Sequence, residues 1–288
     1  MFFIRRKFPL LLLFILLLVL LIACTVKSKD DYLSIHTIDV GQGDSILIKT
    51  PNGRTMLIDG GEPSYGKAVV AYLKKNKVKK IDVLIGTHPH SDHIGGLINV
   101  LDHFQIDRFY LPKKEHTSNT FQELLEKAQA KGLKISAATS DISITFDDDI
   151  TLHFLGPLRD YGDHLNLWSV IVKMDYKEKS FLFTGDLEAL GEDDLLATYK
   201  KDFLKSQFLK VGHHGSNTSS TEDFLQAIEA KVAVISCGRD NAYGHPHMEV
   251  IERLQKRNTA IYRTDLQGSI IVKSDGHKIW SHQQPYNY

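Results

Sequence analysis

The stretch Ile81-Asp82-Val83-Leu84-Ile85-Gly86-Thr87-His88-Pro89-His90-Ser91-Asp92-His93 runs an apolar segment directly into four side chains of metal-ligand type within six residues. The chain has 14 histidines. At that frequency the pattern H-x-H-x-D-H is expected by chance about 0.003 times, so it is read as half of a metal site. If the apolar part is a buried strand, His88 and His90 lie two apart at its end and can point the same way, so both imidazoles reach one ion. Asp92 and His93 then face elsewhere, which suits two adjacent metals better than one. Pro89 fixes a backbone angle between the first two ligands, and Gly95-Gly96 let the next helix start close by without Cβ clashes.

Outward from this segment, alternation and β-branched residues mark strands near residues 32–40, 45–50 and 54–59. Gly41-Gln42-Gly43 and Pro51-Asn52-Gly53 supply the turns between them, so an antiparallel meander is expected. Helices are expected over 67–76, 94–103 and 120–131, with strands at 81–86 and 108–111. The second half repeats the mix. It has strands at 150–155, 169–176, 180–184, 208–211, 232–237, 260–263 and 268–273, and helices at 187–200, 220–230 and 248–256. Strands that first pair as hairpins and then alternate with helices, in each half, predict an α/β fold of two packed sheets with helices outside. This is an αββα sandwich of two mixed sheets, one domain over residues 32–288.

The N-terminus carries a different signal. Arg5, Arg6 and Lys7 precede an apolar run from Phe8 to Ile22, and Leu21-Ile22-Ala23-Cys24 places a small residue before a cysteine. This resembles a bacterial lipoprotein signal peptide over residues 1–23, which implies lipidation of Cys24, a polar tether over 24–31, and a location on the outer face of the cytoplasmic membrane. With Cys24 lipidated, Cys237 has no disulfide partner, and it ends an apolar run as a buried strand residue would. The 35 basic and 35 acidic side chains balance, which argues against strong sequence-independent nucleic-acid affinity over the whole surface and leaves room for a local basic groove.

Three more polar clusters follow expected strands. In Thr184-Gly185-Asp186 a carboxylate can bridge two cations through its two oxygens. In Gly212-His213-His214-Gly215 one imidazole can ligate a metal while the other contacts substrate or transfers protons. The third is Tyr243-Gly244-His245-Pro246-His247.

His88-x-His90-x-Asp92-His93, Thr184-Gly185-Asp186 and Gly212-His213-His214-Gly215, in this order, resemble the metallo-β-lactamase superfamily, whose fold is the sandwich inferred above. Asp39-Val40-Gly41-Gln42-Gly43-Asp44-Ser45, His213-His214-Gly215-Ser216, Tyr243-Gly244-His245-Pro246 and Tyr262-Arg263-Thr264-Asp265 are similar to the extracellular metallo-hydrolase domain of ComEC-type competence proteins. No multi-helix channel accompanies them, so a stand-alone lipoprotein relative is expected. The resemblance implies two divalent ions, Zn²⁺ or Mn²⁺. His88 and His90 hold the first, Asp92 and His93 the second, and Asp186 bridges them. His214 is favoured as the further ligand, with His213 turned to the phosphate or leaving group, and Asp59 and Asp44 orient ligands. Where many members add a histidine to the first ion, this chain has Asn166-Leu167-Trp168-Ser169, with His164 nearby as a substitute.

The activity implied is metal-dependent hydrolysis of a phosphodiester, most directly DNA. Asp92 belongs to the catalytic centre, and His213 or His245 steadies the phosphoryl oxygens or protonates the departing oxygen. Arg239, Lys210 and Arg263 are candidates to guide a polyanion. A phosphorylcholine esterase, a lactonase or β-lactamase, and a surface binding protein without turnover are the alternatives, and fold alone does not choose among them. No protein partner can be inferred.

Overall fold

The apolar part of the opening stretch becomes the strand Val83–Ile85, every residue of which is buried. It lies parallel between Thr55–Ile58 and Phe109–Pro112. Covered on both faces, such a strand reads as a continuous apolar run rather than an alternating one. The structure is a computed structural model that describes residues 32–287. The expected leader, Cys24 and the tether over 24–31 all lie outside the described residues. Among the described residues no helix is long and apolar enough to cross a membrane.

The expected meander is present. Leu33–Thr37, Ile46–Lys49 and Thr55–Ile58 pair antiparallel in succession. They sit in an eight-stranded sheet that runs Ile279–Ser281, Ile270–Ser274, Leu33–Thr37, Ile46–Lys49, Thr55–Ile58, Val83–Ile85, Phe109–Pro112, Ile135–Ala138. The chain's last strands thus close onto its first, Ile35 facing Val272 in register. A second sheet runs Ala260–Arg263, Val232–Ile235, Phe208–Lys210, Lys179–Phe183, Ile171–Tyr176, Ile150–Gly156, Ser143–Asp147. Its first four strands are parallel and the remainder antiparallel.

Strand alternation sorts the apolar residues into three layers. Ile35, Ile48, Met56, Ile58 and Ile85 face Leu152, Phe154, Val172, Phe183 and Phe208 between the sheets. Leu47, Leu57 and Leu84 point the other way, onto the helices Gly66–Lys75, Leu97–His103 and Asn119–Ala130. On the second sheet Leu182, Leu209 and Ala233 meet Leu195, Phe224 and Ile251 of the helices Ala189–Thr198, Glu222–Ile228 and Met248–Lys256. The architecture is the αββα sandwich that the sequence predicts.

Departures lie at the margins. Ile135–Ala138, Ser143–Asp147 and Ile279–Ser281 are strands that the sequence pattern does not mark. All three sit at or near sheet edges and are partly exposed, so they lack a continuous apolar signature. The helix expected over 187–200 starts at Ala189, because Leu187 is buried in a turn and its N–H goes to the Thr184 carbonyl.

Candidate metal centre

Five strands deliver the site, each at its carboxyl end. Asp59 follows Thr55–Ile58, Thr87 and His88 follow Val83–Ile85, Asp186 follows Lys179–Phe183, His213 and His214 follow Phe208–Lys210, and Ser236 follows Val232–Ile235. His90 caps the short helix Ser91–Ile94, which carries Asp92 and His93. The close approach demands glycine at two places. A Cβ on Gly96 would stand 1.9 Å from the Gly60 carbonyl oxygen, and one on Gly43, at φ +129°, 2.2 Å from that of Asp92.

The loop after Phe208–Lys210 turns sharply, with His213 and His214 both left-handed at φ 44° and 54°. Such backbone costs on the order of 1–3 kcal/mol per residue, and the surroundings must hold it. Here the His213 N–H donates to the Gly185 carbonyl at 3.2 Å, and Ser219 Oγ donates to the Gly212 carbonyl at 2.8 Å. The turn splays the two rings, with planes 64° apart, so adjacent histidines take different positions.

Four donor atoms come together around His93 and His214. His93 Nε2 and His214 Nε2 are 3.3 Å apart, and each is 3.3 Å from Asp186 Oδ2. Asp92 Oδ2 is 3.3 Å from His214 Nε2 and 3.8 Å from His93 Nε2. Donors about 2.0–2.1 Å from a tetrahedral ion stand about 3.4 Å from one another, so this spacing fits a divalent metal. Beside it, His88 Nε2 lies 2.9 Å from His90 Nδ1 and 3.9 Å from the same Asp186 oxygen. Asp186 Oδ1 and Asn166 Oδ1 are buried without hydrogen-bond partners. Buried oxygens are rarely left so, and unused lone pairs are what an ion would take.

Each ring is held from behind. His93 Nδ1 meets Asp59 Oδ2 at 2.8 Å, and Asp59 also accepts from the Thr87 N–H and hydroxyl. His214 Nδ1 donates to the Ser236 carbonyl at 3.0 Å and lies 3.5 Å from Asp44 Oδ1. These contacts fix the tautomers and turn Nε2 of both rings into the cluster. His213 Nδ1 meets Glu188 Oε1 at 3.1 Å, and its Nε2 lies 3.4 Å from Asn166 Nδ2 and 3.8 Å from Asp186 Oδ2.

The electrostatics ask for positive charge. Burial opposes protonation of His93 and His214, yet Asp186 and the neighbouring carboxylates outweigh it and hold both imidazoles well above their ordinary value. Burial likewise opposes ionisation of Asp186, but His214 and His93 keep it well below the carboxylate range. A divalent cation satisfies the same carboxylates while releasing those protons. His88, desolvated and beside His93, is held well below the usual imidazole value and is neutral, as a ligand must be. Burial, with His213 and His214 nearby, pushes His245 down to about 4.

The structure therefore gathers His88, His90, Asp92, His93, Asp186, His213, His214, Asn166, Asp59 and Asp44, and places His245 on the same cleft of about 390 Å³. It separates others. His164 is exposed at the start of the turn Leu165–Trp168, away from the cluster that Asn166 joins. Lys210 is not a surface charge that guides a polyanion. It is fully buried, its Nζ 2.7 Å from Asp44 Oδ2 and 2.8 Å from the Val211 carbonyl. Arg263 is paired with Asp265 at 2.6 Å, and Arg239 donates to the Asp265 carbonyl from a neighbouring hollow. Cys237 is buried, and desolvation pushes its thiol up to about 12. Glu188 and Thr87 had no sequence signal of their own. Glu188 sits two residues past Asp186, and that proximity is the one hint available.

The fold and this donor set define a member of the metallo-β-lactamase superfamily, and the chain belongs to it: the superfamily pattern matches residues 38–239. Among curated proteins the chain is 32% identical to ComE operon protein 3 of Bacillus subtilis, over 82% of this chain and 32% of that protein. It is 31% identical to competence protein ComA of Neisseria gonorrhoeae, over 81% of this chain and 31% of that one. Recombination protein 2 of Haemophilus influenzae is 28% identical over 83% and 28%. The chain thus spans about a third of the length of these relatives. Among solved structures, CmlA, a diiron β-hydroxylase from Streptomyces venezuelae, superposes with TM-score 0.55 at 13% identity, over 84% of this chain and 54% of that one. A putative metal-dependent hydrolase from Parabacteroides distasonis gives 0.52 at 14%, over 81% and 93%. These two share the fold.

Proposed function

We infer that the chain is a metal-dependent phosphodiesterase acting on DNA at the outer face of the cytoplasmic membrane, tethered by lipid on Cys24. The observation that carries the chemistry is the four-donor group of Asp92, His93, Asp186 and His214, set beside the His88–His90 pair. In this reading His88 and His90 would hold one divalent ion and Asp92, His93 and His214 the other, with Asp186 a ligand at the centre. The buried, unpartnered Asn166 Oδ1 would stand where other members place a further imidazole. A shell of mixed oxygen and nitrogen donors suits Mn²⁺ as well as Zn²⁺.

Divalent ions bound there supply Lewis-acid polarisation of the ester and an acidified water. The chain's own groups do the rest. Asp59 and the Ser236 carbonyl orient the His93 and His214 rings, so those ligands need no reorganisation during turnover. Glu188 holds His213 by Nδ1, which leaves Nε2 facing the cleft to pass a proton to the departing oxygen. His245, held neutral, lines the cleft beside His213, where an imidazole N–H can donate to a phosphoryl oxygen. The choice of DNA draws support from two of the relatives, a competence protein and a recombination protein.

The test is hydrolysis by the purified chain in Mn²⁺ or Zn²⁺ of bis-p-nitrophenyl phosphate, single-stranded DNA and phosphorylcholine esters. Turnover of the first two, lost in Asp92→Ala and His90→Ala, is expected. Undiminished turnover in those variants, or turnover of the choline ester alone, rules the reading out.

A further inference from the structure

Tyr243 is the most exposed large apolar side chain among the described residues, with 67% of its surface open, although its loop is firmly tied. Asn241 Oδ1 accepts from the N–H groups of Tyr243 and His245 at 3.2 and 3.0 Å, and Asn241 Nδ2 donates to the Gly238 and His245 carbonyls. An exposed tyrosine alone needs no explanation. This one is stacked on a histidine of the cleft, with the Tyr243 and His245 rings 5.6 Å apart and 22° from parallel. His245 in turn touches His213 at 5.5 Å. Tyr243, His245 and His213 line the same cleft as Asp92 and Asp186. A run of rings therefore leads from solvent to the donor group.

We propose that Tyr243 is a base-stacking platform, which holds an unpaired nucleobase beside the phosphodiester under attack and makes single-stranded nucleic acid the substrate class of this site. The proposal rests on the phosphodiesterase reading above. In a duplex both faces of each base are covered by its neighbours, so the ring finds no face to stack on, whereas an unpaired strand offers one at every residue. Stacking of this kind accepts any base, because each has a π-face. A quaternary ammonium such as choline calls for a cage of aromatic faces around the cation. Tyr243 is instead backed by an imidazole, with further histidines behind it, an arrangement suited to a flat neutral ring.

Fluorescence anisotropy tests this with a labelled single strand of cleavage-resistant phosphorothioate backbone in Mn²⁺, the same strand carrying abasic sites, and its duplex. Tyr243→Ala is expected to weaken single-strand binding about 5- to 150-fold, while Tyr243→Phe and Tyr243→Trp retain it. Abasic sites should weaken binding to the natural chain and add nothing in Tyr243→Ala. Equal losses for intact and abasic strands, or no loss in Tyr243→Ala, overturn the platform. So does a duplex bound as tightly as the single strand. Hydrolysis of bis-p-nitrophenyl phosphate is followed in parallel. If that is absent while the coupling between base and ring holds, the platform stands and the phosphodiesterase reading fails; if hydrolysis is present without coupling, the platform alone fails.

Discussion

Lys210→Met tests whether the buried Asp44–Lys210 pair is a structural element under the metal centre. Both side chains are all but inaccessible, and the ammonium meets one carboxylate oxygen at 2.7 Å. Removing one partner of such a pair leaves a buried charge, which costs about 3–5 kcal/mol. The structure separates the two possible losses. Without Lys210, Asp44 still has the His214 imidazole 3.5 Å away, so Lys210→Met belongs at the lower end. Without the Asp44 charge, Lys210 keeps as its other hydrogen-bond acceptor the Val211 carbonyl, so Asp44→Asn belongs at the upper end. For a domain of this size each kcal/mol moves the melting temperature by about 2–4 °C, so drops of about 6–20 °C are expected. Urea unfolding in EDTA, followed by circular dichroism, removes any contribution from ion binding. The double variant should lose less than the sum of the singles, by about 0.5–3 kcal/mol. Singles that each cost under about 1 kcal/mol, or a strictly additive double, would refute the reasoning.

Asp59→Ala removes the carboxylate behind His93 and should weaken metal binding about 10- to 100-fold while leaving the helical and strand content intact; competition with a chromogenic chelator measures it, and unchanged affinity counts against an orienting role. Glu188→Ala frees His213, so kcat should fall more on DNA than on bis-p-nitrophenyl phosphate, whose leaving group needs little protonation; equal losses on both would mean that Glu188 acts only structurally. Glu192 is buried among the N–H groups of Ser220 and Thr221, and desolvation pushes its carboxyl up to about 7. Because the folded value lies above the unfolded one, its contribution is complete below about pH 4.5 and is lost as pH rises to about 7, on the order of 3 kcal/mol. The stability of Glu192→Gln should therefore decline less over that window, and parallel pH curves for the two proteins would contradict this.

The sequence disclosed the central elements because their signals are local. The run 81–93 gives strand, turn and ligands in one reading, and Thr184-Gly185-Asp186 and Gly212-His213-His214-Gly215 sit where strands end. Choosing His214 over His213 for the inner position is visible only in three dimensions, since it depends on two left-handed residues and on the Ser236 carbonyl behind one ring. A backbone acceptor leaves no mark in a side-chain pattern. The sequence marks Lys210 as a candidate to guide a polyanion for a related reason: its partner, Asp44, lies far away in the chain, and burial of a charge is a property of the pair. The edge strand Ser143–Asp147, with alternate residues in water, has too few apolar positions to announce itself.

The most direct measurement of the central claim is anomalous scattering from crystals grown with Mn²⁺ or Zn²⁺. Two peaks about 3.5–4 Å apart, on either side of Asp186, are expected. One should lie about 2.0–2.3 Å from donors of His88 and His90, the other at that distance from Asp92, His93 and His214. A strong peak elsewhere in the molecule with none at Asp186 would contradict the account.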